Sequence, residues 1–185
     1  SAIYENKEGL WVGCKLGLLR RNENGWKIIV EEEEENDWWF AGLGESEDGT
    51  LWMLVEGESL VYRLPLSVQN GNTTTKYIHP EGFRHQDNEG NIWRQYPEDF
   101  GWARTIYTTS DKRLWLGTET GLWLLKQNSW QLVSDDIGLV LSIYETAGKQ
   151  ILLGTMTGVW HQVNDSWLPL SESGPFSIVS TMEQS

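Results

Sequence analysis

The sequence predicts an all-β fold, a β-propeller of four-stranded antiparallel blades. Short apolar segments with a Trp and two Gly at fixed spacing recur along the 185 residues, which indicates an internal repeat. A polar turn sequence precedes each segment and is typical of hairpins between short strands. Helical solenoids are excluded because the apolar residues alternate with a period of two and turns are dense.

Three segments of the chain, 10–19, 114–123 and 151–160, align without gaps. Counted from the second residue of each segment, a Gly lies two residues later, another Gly six residues later and a Trp fifteen residues later. The residues in these positions are Gly13, Gly117 and Gly154, then Gly17, Gly121 and Gly158, then Trp26, Trp130 and Trp167. Weaker copies contain Leu51-Trp52 and Ile92-Trp93. Matches at so many fixed offsets indicate a repeat rather than chance spacing.

Each unit is predicted to be a meander of four short strands. A polar turn such as 47–50 leads into a five-residue apolar strand, and a four-residue link ending in Gly leads to the next. This link matches a type I turn followed by a Gly in the left-handed region, which explains Gly17, Gly121 and Gly158. The Gly inside the apolar strand predicts that the backbone of a neighbouring sheet approaches closely.

The repeat spacing predicts about five units, of which the third is degenerate. The key positions 11, 52, 93, 115 and 152 are 41, 41, 22 and 37 residues apart. The predicted units are 1–36, 37–80, 81–101, 102–135 and 136–175, in a single propeller domain or propeller fragment covering 1–185. Residues 176–185 are predicted to form an extra strand, which either closes the ring or belongs to a longer array. Because propellers usually have about four to eight blades, we expect a small ring or part of a larger ring.

Charge and cysteine content exclude several classes of protein. The chain has 14 Lys and Arg against 27 Asp and Glu, and its net charge of −13 predicts neither nucleic acid nor an anionic membrane surface as a partner. Cys14 is the single cysteine, which rules out an intramolecular disulfide and a multi-cysteine zinc site. The sequence shows neither an apolar stretch of membrane-spanning length nor a signal peptide, so no direct membrane insertion is expected.

The segment 111–123 (DKRLWLGTETGLW) resembles the two-component regulator propeller repeat, whose pattern runs roughly Asp-x-x-Leu-Trp-x-Gly-Thr-x-x-Gly-Leu. The match recurs at 8–19 and 148–160 and is degenerate at 48–62 and 87–93, so it covers most of the chain. The resemblance implies a propeller that binds a ligand as a sensor module in signal transduction. It also implies an extracytoplasmic location, periplasmic or secreted, as for the input domains of two-component regulators.

Most of the 12 Trp are predicted to pack between neighbouring blades, because they occupy fixed positions of the repeat. These are Trp11, Trp26, Trp52, Trp93, Trp115, Trp123, Trp130, Trp160 and Trp167. Trp38, Trp39 and Trp102 fall outside these positions, before presumed innermost strands. Plain packing and ligand binding both stay open for them, since an exposed ring at a rim or channel can stack on a sugar or an aromatic ligand.

A second group of candidate binding residues surrounds the degenerate third unit. It comprises Arg84, Arg94, Arg104 and Tyr96, with His79, His85 and Asp99 nearby. A departure from the repeat suggests a loop that carries function, and the alternative is a degenerate blade with solvated charges. His85 and Asp87 could ligate a metal, but no third ligand stands at a recognisable spacing, so neither a metal nor a cofactor is assigned.

No catalytic residues are predicted. The sequence lacks Gly-x-Ser-x-Gly, a phosphate-binding loop and His-Glu-x-x-His, and Cys14 replaces the Thr of Thr118 and Thr155 as a packing residue. The first hypothesis is a noncatalytic ligand-binding or sensor propeller. The alternatives are a Trp-rich, lectin-like carbohydrate-binding propeller and a polysaccharide-acting enzyme. Expected partners are a small-molecule or glycan ligand or a protein, and a homo-oligomer could complete the ring.

Overall fold

The structure is a computed structural model that describes residues 2–14, 17–31, 40–55, 59–63, 84–86, 92–95, 100–127, 129–164 and 166–170. These residues form seventeen β-strands and no helix. Every pairing between the strands is antiparallel. The all-β, antiparallel prediction is therefore confirmed for the described part of the chain.

The chain divides into two compact units, and the first comprises residues 1–99. Its first sheet has the order β1-β2-β3-β4, with β1 Ala2–Asn6, β2 Gly9–Cys14, β3 Gly17–Asn22 and β4 Gly25–Glu31. Its second sheet has the order β5-β6-β7-β9-β8, with β5 Phe40–Glu45, β6 Leu51–Val55, β7 Ser59–Arg63, β8 Arg84–Gln86 and β9 Ile92–Gln95. We number these sheets 1 and 2.

The second unit, residues 100–185, contains sheets 3 and 4. Sheet 3 comprises β10 Ala103–Thr108, β11 Leu114–Thr118, β12 Gly121–Lys126 and β13 Ser129–Ser134. Sheet 4 comprises β14 Val140–Glu145, β15 Ile151–Thr155, β16 Gly158–Val163 and β17 Ser166–Pro169. Both sheets are simple meanders, as the short polar turns predict.

The degenerate third unit forms no separate sheet among the described residues. Its strands β8 and β9 lie in sheet 2, where β9 pairs with β7 and β8 pairs with β9. The described residues form four sheets, so the predicted count of about five units is not confirmed. The three strands β5, β6 and β7 would leave an open edge on β7, and pairing with β9 satisfies the backbone groups of that edge.

Within each unit, one face of a sheet packs on the next sheet. We call this the forward face; in sheet 1 it carries Trp11, Gly13 and Leu18, which the strand register places together. The opposite, rear face of the following sheet receives it. In sheet 2 the rear face carries Leu43, Leu51 and Met53, which are buried in one cluster with Trp11 and Leu18.

The second unit repeats this arrangement. The forward face of sheet 3 carries Trp115 and Leu122, which are 1% and 0% exposed. They pack in one cluster with Ile143, Ile151 and Leu153 on the rear face of sheet 4. The core of each unit is therefore the apolar layer between its two sheets, which removes these side chains from water.

The Gly inside the apolar strand allows this close packing. A Cβ on Gly117 would lie 2.6 Å from Thr105 Cγ2 and 2.7 Å from Val140 Cγ1, and a Cβ on Gly13 would lie 2.5 Å from Phe40 Cβ. Phe40 and Val140 are the first residues of β5 and β14, the first strands of sheets 2 and 4. The close approach was correctly predicted, but side chains make it, rather than another backbone.

The turn glycines behave as predicted. Gly17, Gly121 and Gly158 have φ values of 113°, 136° and 131°, which favour Gly because a side chain would be strained there. A Cβ on Gly121 would also meet the carbonyl oxygen of Ser134. The β2–β3, β11–β12 and β15–β16 turns therefore depend on these glycines.

Most of the repeat Trp residues that the structure describes are removed from water at least in part, as their predicted packing requires. Trp11, Trp52, Trp115 and Trp130 are buried. Trp123, Trp160 and Trp167 are half-buried, and the side chain of Trp93 lies outside the described residues. The prediction is wrong for Trp26, which lies beside Arg21 and is 54% exposed, because no described sheet of the first unit packs on the rear face of sheet 1.

A buried carboxylate also joins the two sheets of each unit. Glu145, the last residue of β14, is 7% exposed and accepts hydrogen bonds from the Ser110 backbone N at 2.6 Å and Ser110 Oγ at 3.0 Å. Glu45, the last residue of β5, is likewise 7% exposed and accepts one from Asn6 Nδ2 at 2.6 Å. Both donors belong to the first hairpin turn of the preceding sheet, so the contact repeats. We call it the carboxylate bridge.

Replacing Gly117 by Ala is expected to destabilise the second unit by about 1 to 3 kcal/mol, because the added methyl group overlaps Thr105 and Val140. The free energy of unfolding in urea, followed by Trp fluorescence, measures this. Gly148→Ala is the control, since its Cβ would meet only Thr146 Oγ1, at 3.8 Å. Equal stability of the two variants would contradict the close-packing role of Gly117.

Replacing Glu145 by Ala is expected to lower the free energy of unfolding by about 2 kcal/mol, because two hydrogen bonds to a charged acceptor are lost. Glu5→Ala is the matched control: Glu5 lies opposite Leu10 as Glu145 lies opposite Ile151, yet it is exposed. Urea titrations of both variants compare them directly. A loss of stability that is equal in the two would show that the bridge contributes nothing.

Candidate ligand-binding site

Two of the predicted binding residues, Trp102 and Arg104, lie together at the start of β10. Arg104 Cζ lies 4.9 Å from the centroid of the Trp102 ring, a distance at which a cation is attracted to an aromatic face. Trp102 is 54% exposed, so much of its ring remains open to solvent. Its carbonyl oxygen accepts a hydrogen bond from the Glu119 backbone N at 3.0 Å, which holds this backbone against the β11–β12 turn.

A β-bulge sets the position of Arg104. Ala103 pairs with Thr118 and Thr105 pairs with Gly117, so Arg104 is the extra residue in β10. A bulge bends the strand and changes the direction of a side chain relative to the regular ladder. The first strands of sheets 2 and 4, β5 and β14, have the same irregularity, and the extra residues there are Ala41 and Leu141. The bulge therefore belongs to the repeat, whereas a charged side chain on it is a feature of sheet 3.

The guanidinium of Arg104 has no carboxylate partner within the described part of the chain. Its Nε is shielded from solvent and makes no hydrogen bond there. A shielded donor normally has a partner, because an unsatisfied polar group costs free energy. The N–H groups of a guanidinium form a planar fork that matches two oxygens of a carboxylate or phosphate. Beside the Trp102 ring, Arg104 therefore has hydrogen-bonding capacity that the described residues do not use.

The segment that leads into this pair is well anchored. Phe100 is buried and packs edge-on against Trp123 at a centroid distance of 5.2 Å. Gly101 has a φ of 66°, and a Cβ there would lie 2.5 Å from Glu119 Oε1. Trp102 thus projects from a fixed backbone, with the Glu119 carboxylate close to the preceding residue. Glu119 was not predicted as a site residue, because in the sequence it is an ordinary turn position.

The other predicted binding residues are described in part or not at all. Arg84 and Arg94 lie opposite each other in the β8–β9 pairing of sheet 2, and only their backbone is described. Trp38, Trp39 and Tyr96 lie outside the described residues, and so do His79 and Asp99. Trp39 immediately precedes β5 as Trp102 precedes β10, so the two share a position in the repeat. Ligand binding by these residues stays a prediction.

The carboxylate of Asp48 stabilises the β5–β6 turn. Partial burial by itself would raise the pKa of Asp48, but hydrogen bonds from Ser46 Oγ at 2.7 Å and the Thr50 backbone N at 3.0 Å outweigh it. The pKa of Asp48 is therefore lower than 3.8. Trp52 Nε1 donates to the same Ser46 hydroxyl at 3.1 Å, which connects the turn to the apolar layer.

Asp111 has the same function in the β10–β11 turn. Burial opposes its ionisation, but hydrogen bonds from Thr109 Oγ1 at 2.5 Å and Arg113 Nε at 2.8 Å lower the pKa of Asp111 below 3.8. The pKa of Tyr107 is raised by burial, and the charge of Glu145 adds to this effect. Asp48 and Asp111 thus each accept hydrogen bonds within their own turn, which indicates a structural role.

Other chemistry is not assembled among the residues that the structure describes. Within those ranges, no three His, Cys, Asp or Glu side chains come close enough together to hold a metal ion. The same residues include no helix that is long and apolar enough to cross a membrane. Cys14 is a free thiol and is half-buried.

Comparisons with known proteins give structural similarity only. No protein-family model matches the chain, and no curated protein matches it. One similar solved structure is a catalytically inactive virginiamycin B lyase from Staphylococcus aureus with quinupristin, with a TM-score of 0.56, 12% identity, and coverage of 92% of this chain and 55% of that chain. A streptogramin B lyase gives a TM-score of 0.55 at 11% identity, over 92% of this chain and 54% of that chain.

A further solved structure is the extracellular domain of a hybrid two-component system from B. thetaiotaomicron. It has a TM-score of 0.42 and 16% identity, and the match covers 90% of this chain and 29% of that chain. This chain spans little more than half of the length of the two lyase structures. At these identities the lyases support a shared fold alone, that of propeller-like four-stranded antiparallel sheets.

Acid is expected to destabilise the Asp turns. Because the folded chain lowers the pKa of Asp48 and Asp111 below 3.8, their stabilisation is present above the unfolded-state pKa and is lost as the pH falls through the folded values. Urea unfolding between about pH 6 and pH 2.5 should show stability falling from about pH 4 downwards. Asp48→Asn and Asp111→Asn should flatten this slope, whereas replacing the exposed Asp136 by Asn serves as the control. If the slope were unchanged in both turn variants, the conclusion that the Asp48 and Asp111 carboxylates stabilise their turns would be wrong.

Proposed function

We propose that this chain is a noncatalytic ligand-binding module of the sensor propeller type, and that Trp102 and Arg104 bind its ligand. The observation that carries the proposal is the half-exposed Trp102 ring with the Arg104 guanidinium 4.9 Å from its centroid. An exposed aromatic ring offers a flat apolar surface to a sugar or aromatic ring. An arginine with no acidic partner among the described residues offers paired donors to an anion.

The chemistry of this pair favours one class of ligand, a ring-shaped molecule that carries a carboxylate or another anionic group. The ring would stack on Trp102, and the anion would accept hydrogen bonds from Arg104. The net charge of −13 repels anions from the chain as a whole. Binding of an anion must therefore depend on the local positive charge of Arg104, which makes this side chain the decisive one to test.

The sensor assignment rests on the resemblance of the repeats to two-component regulator propellers. The extracytoplasmic location implied by that resemblance is part of the same proposal. A lectin-like function is the second candidate, and the exposed ring of Trp102 favours it, since an aromatic face of this kind can stack on a sugar. A neutral sugar would need Trp102 and not Arg104, whereas an acidic ligand would need both.

Calorimetric titration with paired probes tests the proposal. The pairs are glucuronate with glucose, and benzoate with benzyl alcohol, so that each acidic ring has a neutral counterpart. We expect saturable binding of an acidic member, with affinity about tenfold or more weaker after Trp102→Ala or Arg104→Gln. Trp26→Ala is the matched control, because Trp26 is also 54% exposed and lies 5.9 Å from Arg21 Cζ.

The outcomes separate the candidates. Binding of glucose that depends on Trp102 but survives Arg104→Gln would favour the lectin-like function over the acidic ligand. Absence of binding to all four probes, or binding that neither substitution weakens, would overturn the assignment of the ligand to this pair. Loss of binding in Trp26→Ala would move the site to sheet 1.

A further inference from the structure

The rear face of sheet 1 exposes a residue that other sheets bury. Ile3 in β1 lies opposite Val12, as Leu43 lies opposite Met53 in sheet 2. Ile3 is 71% exposed, whereas Leu43 is 5% exposed because sheet 1 packs over it. Ile143, at the same position of sheet 4, is also 5% exposed beneath sheet 3. Ile3 therefore has the position and chemistry of an interface residue, but no described sheet of the first unit covers it.

The carboxylate of the bridge is present on this face as well. Glu5 follows Ile3 by two residues, as Glu45 follows Leu43 and Glu145 follows Ile143. Glu45 and Glu145 are buried and accept hydrogen bonds from the preceding sheet. Glu5 is exposed, and within the described residues no hydrogen bond reaches it. The rear face of sheet 1 thus presents an acceptor at the position where sheets 2 and 4 bind a turn.

The outer strand extends the same exposed surface. The register of β3 and β4 places Trp26 and Ile28 on the rear face of sheet 1, where they are 54% and 40% exposed. Trp167 occupies the position of Trp26 in sheet 4 and packs edge-on against Trp115 of sheet 3, with a centroid distance of 6.1 Å. A forward face that covered Trp26 would remove its ring from water in the same way.

Sheet 4 offers a forward face of the required kind. Leu152 occupies the position of Trp11 and Trp115; those are 0% and 1% exposed, whereas Leu152 is only half-buried. Leu168 lies on the same face, through its pairing with His161, and is 47% exposed. The forward face of sheet 4 therefore has apolar surface available for packing.

The turn of sheet 4 also supplies a donor for Glu5. The β14–β15 turn has the hydrogen bonds of the β10–β11 turn, with Thr146 in the position of Thr109. Ala147 then occupies the position of Ser110, whose backbone N donates to Glu145. Ala147 is exposed, so its N–H is accessible to an incoming carboxylate.

We propose that the rear face of sheet 1 binds the forward face of sheet 4 in a second copy of this chain. The contact continues the interface that already joins sheets 1 and 2 and sheets 3 and 4. Ile3, Ile28 and Trp26 pack against Leu152 and its neighbours, and Glu5 accepts a hydrogen bond from the Ala147 N–H. Because the two faces differ, the contact is head-to-tail and either closes into a small ring of copies or extends.

Light scattering over a range of concentrations tests this association. The expected mass is a multiple of 21.3 kDa at high concentration, and added salt should strengthen association because it screens the repulsion between chains of charge −13. Ile3→Glu should weaken association by about tenfold or more, since a carboxylate would be buried without a partner. Met156→Glu is the control, because Met156 is 49% exposed in the β15–β16 turn, outside the proposed contact.

A cross-linking experiment identifies the two faces. In a Cys14→Thr background, one chain carries Glu5→Cys and another carries Ala147→Cys, and the two are mixed with a short bis-maleimide. The cross-linked heterodimer should form only in the mixture and should be lost when Ile3→Glu is added. Trp fluorescence confirms that each variant is folded.

Three results would overturn the proposal. The first is a constant mass of 21.3 kDa at every concentration. The second is a mixed cross-link that is unaffected by Ile3→Glu. The third is an efficient cross-link within a single chain that carries both cysteines, which would show that its own fourth sheet occupies the face.

Discussion

The structure depends on the packing of the forward face of one sheet on the rear face of the next. A sheet of four strands, each of four to seven residues, cannot bury its apolar side chains alone, so the layer between two sheets is the smallest core available. Gly13 and Gly117 permit the short distance, and Trp11 and Trp115 fill the layer with large buried rings. The carboxylate bridge then fixes how one sheet is positioned along the other, because Glu45 and Glu145 each need a donor from one particular turn.

The candidate site arises where sheet 3 departs from this common design. The bulge in β10 is shared with β5 and β14 and is therefore part of the scaffold, but only in β10 does it carry a charged side chain. Arg104 is thus held by a repeated backbone feature beside Trp102, whose segment is anchored by Phe100. On a rigid scaffold, a change at one position can create a binding site while the rest of the sheet keeps its packing.

Much of the fold could be predicted because backbone requirements leave a residue signature: the positive φ of Gly17, Gly121 and Gly158 is visible as Gly at a fixed offset. The sheet that β8 and β9 join could not be predicted from the sequence, because it depends on which sheet has an unpaired edge strand in three dimensions. The contact of Arg104 with Trp102 was likewise hidden, since nothing in the residues of β10 marks the bulge. The carboxylate bridge had a signal that was missed, a Glu seven positions before key residues 52 and 152.

The carboxylate bridge has a consequence for how such a chain can change in length. The bridge joins a donor turn of sheet 1 or 3 to an acceptor Glu of sheet 2 or 4, whereas sheet 3 itself has Thr108 where those two sheets have Glu. Duplication or deletion of a bridged pair of sheets would therefore keep each bridge intact, and the stability of the array would be close to a sum of pair and nearest-neighbour contributions. A bridged pair of sheets is thus the unit whose gain or loss changes the length of the array, whereas the strands β8 and β9 of the degenerate third unit form no pair of their own and extend sheet 2.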